Sequence, residues 1–157
     1  MPKTSSGLLL CRRRETAEFL LVHPGGPYFR KKDAGIWSIP KGLVDDGEDL
    51  LEAAKREFSE ETGFSCEADH FEPLGTAKQS NKLVHAWAFV GDADVDTLES
   101  NLFEMEWPPR SGKKASFPEV DRASFFDAEI AAEKIIAAQA ALIDRALRWM
   151  NSVHPAG

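Results

Sequence analysis

The 23 residues from Gly42 to Phe64, GLVDDGEDLLEAAKREFSEETGF, constrain this chain more than any other stretch. Leu51, Ala54 and Phe58 stand at i, i+3 and i+7, which predicts a helix from about Glu48 to Thr62 with one buried stripe. Gly63 follows where a left-handed glycine ends a helix. On that helix Glu57, Glu60 and Glu61 fall at i, i+3 and i+4, so three carboxylates share a face beside the apolar stripe. Like charges this close repel, and no Lys or Arg on the same arc pairs with all three. Divalent cations with oxygen ligands relieve such repulsion, and so does protonation of one carboxylate. A solvated acidic face is the plainer reading, with Glu52 and Arg56 as an ordinary i, i+4 surface pair.

Charge is concentrated in the same place. The 23 residues hold eight acids and two bases, so they carry −6 of the formal −7, and the rest of the 157-residue chain is close to neutral. No basic field exists of the kind that holds nucleic acid or anionic membrane, which argues against both as partners. No stretch approaches the ~20 apolar residues needed to span a bilayer. Cys11 and Cys66 fall in no metal or redox spacing and read as small buried hydrophobes of a reduced, cytoplasmic protein.

Elsewhere the pattern is that of a sheet protein with terminal helices. Ser6–Cys11 and Glu18–His23 are apolar runs of strand length, and Pro24, Gly25, Gly26 and Pro27 then open a loop that runs to about Gly35. Ile36–Ile39 is a short extended piece stopped by Pro40. Strands are expected near Leu74–Lys78, Leu83–Val90 and Arg122–Phe126, and the Ala-rich stretch 128–150 predicts two helices. Trp107–Pro118 reads as a polar loop. Strands, one central helix, more strands and terminal helices give a mixed sheet packed between helices, with no internal repeat.

The segment 42–64 resembles the Nudix box: Gly, five residues, Glu, seven residues, Arg-Glu, an apolar residue, any residue, Glu-Glu, any residue, Gly, an apolar residue. Gly42, Glu48, Arg56, Glu57, Phe58, Glu60, Glu61, Gly63 and Phe64 fill these positions. Seven identities at fixed spacing arise by chance at about 10⁻⁸ per start site. The resemblance implies an α+β fold: a Nudix-type α/β/α sandwich with a mixed central sheet, a loop–helix–loop catalytic motif and C-terminal helices. The box itself covers 23 residues, and residues 1–157 are expected to form a single such domain.

The same resemblance implies a hydrolase of phosphoanhydride bonds in nucleotide derivatives, using two or more Mg²⁺ (or Mn²⁺) ions. Glu57, Glu60 and Glu61 would be metal ligands, with Glu60 or Glu61 favoured as the base and Glu119 next. Glu119, which precedes Phe125 by six residues, fits the place of a distal metal ligand, and the Lys41 backbone carbonyl would add an oxygen. Gly42, Glu48 and Gly63 would shape the motif, with Arg56 orienting the ligands.

The entry WSIPKG resembles that of dinucleoside polyphosphate hydrolases, so Lys41 and Lys82 would contact substrate phosphate. A small-molecule nucleotide is the implied substrate: a dinucleoside polyphosphate or a nucleoside triphosphate. Alternatives are an ADP-ribose or nucleotide-sugar hydrolase, or a non-catalytic nucleotide sensor. Nudix enzymes are often dimers, which leaves a homodimer open. Tyr28, Phe29 and Trp107 are candidates for stacking a base, and the clusters Arg30/Lys31/Lys32 and Arg110/Lys113/Lys114 for holding phosphate.

Overall fold

In the computed structural model, which describes residues 3–153, six of eight strands form one sheet with helices on both faces, three α-helices in all, and the other two strands form a separate hairpin. The ends of the expected 1–157 domain lie outside the described residues. Strand β1 (Lys3–Arg13) is the centre, and its run Leu8-Leu9-Leu10-Cys11 is fully buried on both faces. A strand covered on both sides reads as continuous apolar sequence rather than alternation.

β1 pairs parallel to β5 (Lys82–Val90) and antiparallel to β2 (Ala17–Pro24) and β3 (Lys41–Leu43). β4 (Glu72–Gln79) lies outside β5, and β8 (Val120–Asp127) outside β2, giving the order β4-β5-β1-β2-β8 with β3 on β1. The sheet is mixed, as expected.

The two faces of β1 divide the core. Leu8 and Leu10, with Leu20 and Phe89, pack against Ala54, Phe58 and Phe64 of helix α1 (Leu50–Thr62) and its end. Leu9 and Cys11, with Phe19 and Leu21, pack against Ala131 of α2 (Ala128–Lys134) and Leu142, Ile143, Ala146 and Met150 of α3 (Ala140–Val153). The result is an α/β/α sandwich, and it resolves the Ala-rich stretch into the two expected helices. No helix among the described residues is long and apolar enough to cross a membrane.

Several expectations are corrected. α1 starts at Leu50 rather than Glu48, because the Asp49 carboxylate caps it by accepting from the Glu52 backbone N–H. Leu43 was not expected in a strand, and residues 41–43 pair with Ser5–Gly7. The polar loop 107–118 is partly strand: β7 (Lys114–Pro118) forms a separate hairpin with β6 (Leu102–Glu106). Its alternation is weak because only one side, around Phe103 and Phe117, is half-buried. Cys11 is buried but Cys66 only partly so, and both are free thiols.

Candidate active site

Gly63 ends α1 with φ +73°, and its N–H bonds the Ser59 carbonyl, so the helix stops where the acidic face ends. The other end of the motif is held by Arg56. Its Nε and Nη2 fork onto the two oxygens of Glu48 at 2.8 and 2.9 Å, while Nη2 also reaches the Leu43 carbonyl at 3.1 Å. This ties loop 43–48 to the helix. Glu48 Oε1 also accepts the Asp45 backbone N–H, and the Arg56 fork holds the Glu48 carboxyl down near 2. The expected Glu52–Arg56 pair does not form: Glu52 lies 3.5 Å from Lys55, and Arg56 is committed to Glu48. A fork that matches a carboxylate outcompetes a single exposed contact.

The three helix carboxylates have different surroundings. Arg56 Nη1 donates to Glu57 Oε1 at 2.9 Å and to exposed Glu60 Oε2 at 3.2 Å. Glu57 lies directly over Gly42, where an added Cβ would overlap its carboxylate. Burial raises its carboxyl, with Arg56 opposing. Glu61 Oε2 accepts the Lys41 backbone N–H at 2.6 Å. Burial pushes the Glu61 carboxyl up to about 8, opposed by Lys41 and reinforced by the charges of Glu57 and Glu119. Lys41 is pulled below the usual lysine range, by burial first and then by Lys82.

These residues meet in one cleft of about 430 Å³, lined by Lys41, Glu57, Glu60, Glu61, Lys82 and Glu119, with Gly42, Leu43, Ser5 and Asn101 completing the wall. The glutamates and lysines among them come from four places: α1, β3, the start of β5 and the bend between β7 and β8. Glu119 is set there by backbone bonds, its N–H to the Asn101 carbonyl and its carbonyl to the Gly25 N–H, each 2.9 Å. Gly7 lets β1 and the 40–41 segment approach: a Cβ there would lie 2.6 Å from the Pro40 carbonyl oxygen.

A second cavity, of about 360 Å³, opens beside the first and shares Lys41, Glu61 and Glu119 with it. Its walls are apolar (Phe29, Ile36, Val120 and Ile136 among them), with Ser38 and Gln79 as polar points. Of the three stacking candidates only Phe29 lines it, since Tyr28 and Trp107 pack edge to face on each other at 5.5 Å. The two basic loop clusters line neither cavity.

Sequence reasoning passed over Gln79, Ser38 and Gln139. Gln139 is fully buried, and its signal was a lone amide inside an alanine run. His23 is fully buried, with Nδ1 2.7 Å from Asp121 Oδ1 and Nε2 2.7 Å from the Lys32 carbonyl, which pins the loop after β2.

The oxygen donors in the cleft suit a hard divalent cation better than a soft one. Glu61 supports that fit, because a carboxyl held near 8 by burial and by two neighbouring acids is one that a cation would stabilise in its charged form. Among the described residues no three acidic side chains converge as a finished ligand cage, since Arg56 holds Glu57 and Glu60 and the Lys41 N–H holds Glu61.

The Nudix domain family model matches residues 1–146. Nudix hydrolase 7 of Arabidopsis thaliana is 37% identical over 71 residues, 45% of this chain and 23% of the relative. An RNA pyrophosphohydrolase of Novosphingobium aromaticivorans is 56% identical over 36 residues, 23% of this chain and 22% of the relative. The matched segments thus span less than a quarter of either curated relative. A C. elegans Ap4A hydrolase, solved as a binary complex, superposes with a TM-score of 0.64 at 24% identity, covering 96% of this chain and 98% of that one. That likeness concerns the fold. With Gly42, Glu57, Glu60 and Glu61 of the box in one cleft and the family model covering nearly the whole length, the chain belongs to the Nudix hydrolase family.

Proposed function

We propose that this protein is a divalent-metal-dependent pyrophosphohydrolase that cleaves a phosphoanhydride bond in a nucleoside polyphosphate derivative, with a nucleoside triphosphate or dinucleoside polyphosphate as substrate. The observation that carries the reading is that Glu57, Glu60, Glu61 and Glu119 line one cleft together with Lys41 and Lys82. Carboxylates alone would repel a polyphosphate, and lysines alone would bind it without chemistry.

Glu57, Glu60, Glu61, Glu119 and the Lys41 carbonyl would hold Mg²⁺ or Mn²⁺. Bound there, the ions would supply charge neutralisation for phosphate oxygens and for the leaving phosphate. The chain's own groups do the rest. Arg56 holds Glu57 and Glu60 on one side of the cleft, and Glu48 in turn fixes Arg56. Lys41 and Lys82 sit on the wall where they meet phosphate as point charges. Attack of a water oxygen on phosphorus breaks the bridging P–O bond, and the water's proton passes to a carboxylate. Glu60, Glu61 and Glu119 are the acceptors within the cleft.

The test is a panel of nucleoside triphosphates, dinucleoside polyphosphates, ADP-ribose and nucleotide sugars, with and without MgCl₂, with products identified. Turnover that needs the metal and leaves two phosphate-bearing products is expected. Absence of metal-dependent turnover from folded protein would overturn the proposal. The name of the bacterial relative brings a second substrate, the 5′ end of RNA. The net charge of −7 opposes long-range attraction to RNA, and a triphosphorylated oligonucleotide belongs in the same panel.

A further inference from the structure

A chain of side-chain amides ends in the apolar cavity beside the acidic cleft. It starts from a group whose polarity is beyond doubt: the backbone N–H of Ile39 donates to Gln139 Oε1 at 3.0 Å. That bond fixes which end of the Gln139 amide is oxygen. The Gln139 Nε2 therefore faces the other way and donates to Ser38 Oγ at 3.1 Å and to Gln79 Oε1 at 3.0 Å. Ser38 can accept because its own proton goes to the Ile39 carbonyl, 2.7 Å away. The Gln79 amide is thereby oriented as well, with its oxygen turned to Gln139 and its NH₂ left over. Among the described residues that NH₂ has no acceptor, and Gln79 lines the cavity.

The surroundings say what a ligand there looks like. The cavity is about 360 Å³, within the range of small-molecule sites, and its apolar walls suit a flat ring. It shares Lys41, Glu61 and Glu119 with the cleft, so a group in it lies next to the phosphate chain. A glutamine free to turn reads adenine through both ends of its amide. Here the oxygen end is already engaged, and only the donor end is offered.

We infer that Gln79, oriented by Gln139, is a specificity-determining residue that donates a hydrogen bond to a ring carbonyl of the substrate base and so selects oxo bases over amino bases. Guanine and uracil present a carbonyl at the relevant edge, whereas adenine and cytosine present an amino group that would meet the Gln79 NH₂ donor to donor. This rests on the nucleotide-hydrolase reading and names its substrate class more narrowly. Gln139 is a positioning residue: it touches no ligand and acts through the orientation of Gln79.

Two measurements separate this inference from the reading beneath it. The first is kcat/KM with MgCl₂ for GTP against ATP and UTP against CTP, which differ at the base edge and share the phosphate chain. The second is equilibrium binding of GMP and AMP, which needs no chemistry. The parent protein is expected to prefer the oxo base by about tenfold in both. Gln79→Leu brings the ratio to about one, and Gln79→Glu, which offers only acceptors, inverts it. Gln139→Leu lowers the ratio, since it frees the Gln79 amide to turn.

Equal use of GTP and ATP by the parent, or an unchanged ratio in Gln79→Leu, overturns the inference while hydrolysis itself stands. Base discrimination in binding without any hydrolysis supports the inference and overturns the hydrolase reading. Gln79 is only partly buried on an edge strand, so its variants remain informative if Gln139→Leu fails to fold.

Discussion

Replacing Glu61 by Gln in the metal-free protein isolates the cost of assembling the acidic cleft. In the folded protein this carboxyl is held at about 8, against 4.5 without the surroundings, chiefly by burial. The unfolded chain releases the proton near 4.5 and the folded chain keeps it to about 8, so folding takes up a proton between those values. Stability contributed by this group therefore falls as pH rises through that window and is flat on either side. Each pH unit costs about 1.4 kcal/mol, which sets a ceiling of about 5 kcal/mol above pH 8. Water entry and side-chain rearrangement on ionisation reduce this, and a gap of about 2 kcal/mol is expected.

Gln keeps an oxygen for the Lys41 N–H and has no proton to lose. In EDTA, Glu61→Gln should match the parent near pH 4.5 and exceed its Tm by about 4–8 °C at pH 8.5 for a chain of this size. Calorimetry at half-unit steps measures the gap. Adding MgCl₂ at pH 8 should raise the parent's Tm and leave the variant's nearly unchanged. A gap that does not depend on pH, or a parent more stable than the variant at pH 8.5 in EDTA, would refute the reasoning.

Three further outcomes are expected. Arg56→Lys keeps the charge but loses the fork on Glu48, and urea unfolding should show a loss of about 1–3 kcal/mol; full retention of stability would mean that the fork contributes nothing. Gly42→Ala puts a methyl group where the Glu57 carboxylate lies, so kcat should fall by about tenfold or more while stability drops by only about 1 kcal/mol. A variant with parental kcat would show that the position of Glu57 is not critical. Lys82→Ala removes a cation from the cleft wall, and KM should rise by about fivefold with kcat and Tm little changed. An unchanged KM would remove Lys82 from the phosphate contacts.

The order of elements and the place of α1 were legible in sequence because both depend on short-range pattern. Leu51, Ala54 and Phe58 share one side of a helix whatever surrounds it, and the spacing of Glu57, Glu60 and Glu61 puts them together for the same reason. Of the expected stripe Ala54 and Phe58 are buried and Leu51 only partly so, while Ala53 and Thr62 join the buried face of α1. The hairpin β6–β7 escaped notice because it buries little and so carries little alternation.

What the sequence determined by itself was therefore the acidic helix, its stop at Gly63, the sandwich class and the family resemblance. Tertiary structure decided which distant groups join that helix. Glu119 enters through backbone bonds to Asn101 and Gly25, and Lys82 through the pairing of β5 with β1. Arg56 finds Glu48 rather than Glu52 because a loop folds back over the helix. Gln139 meets Gln79 and Ile39 across sequence gaps of 60 and 100 residues. Helical periodicity is a property of neighbours along the chain, whereas these meetings depend on strand register and on how loops close, and those are set by burial of the whole core.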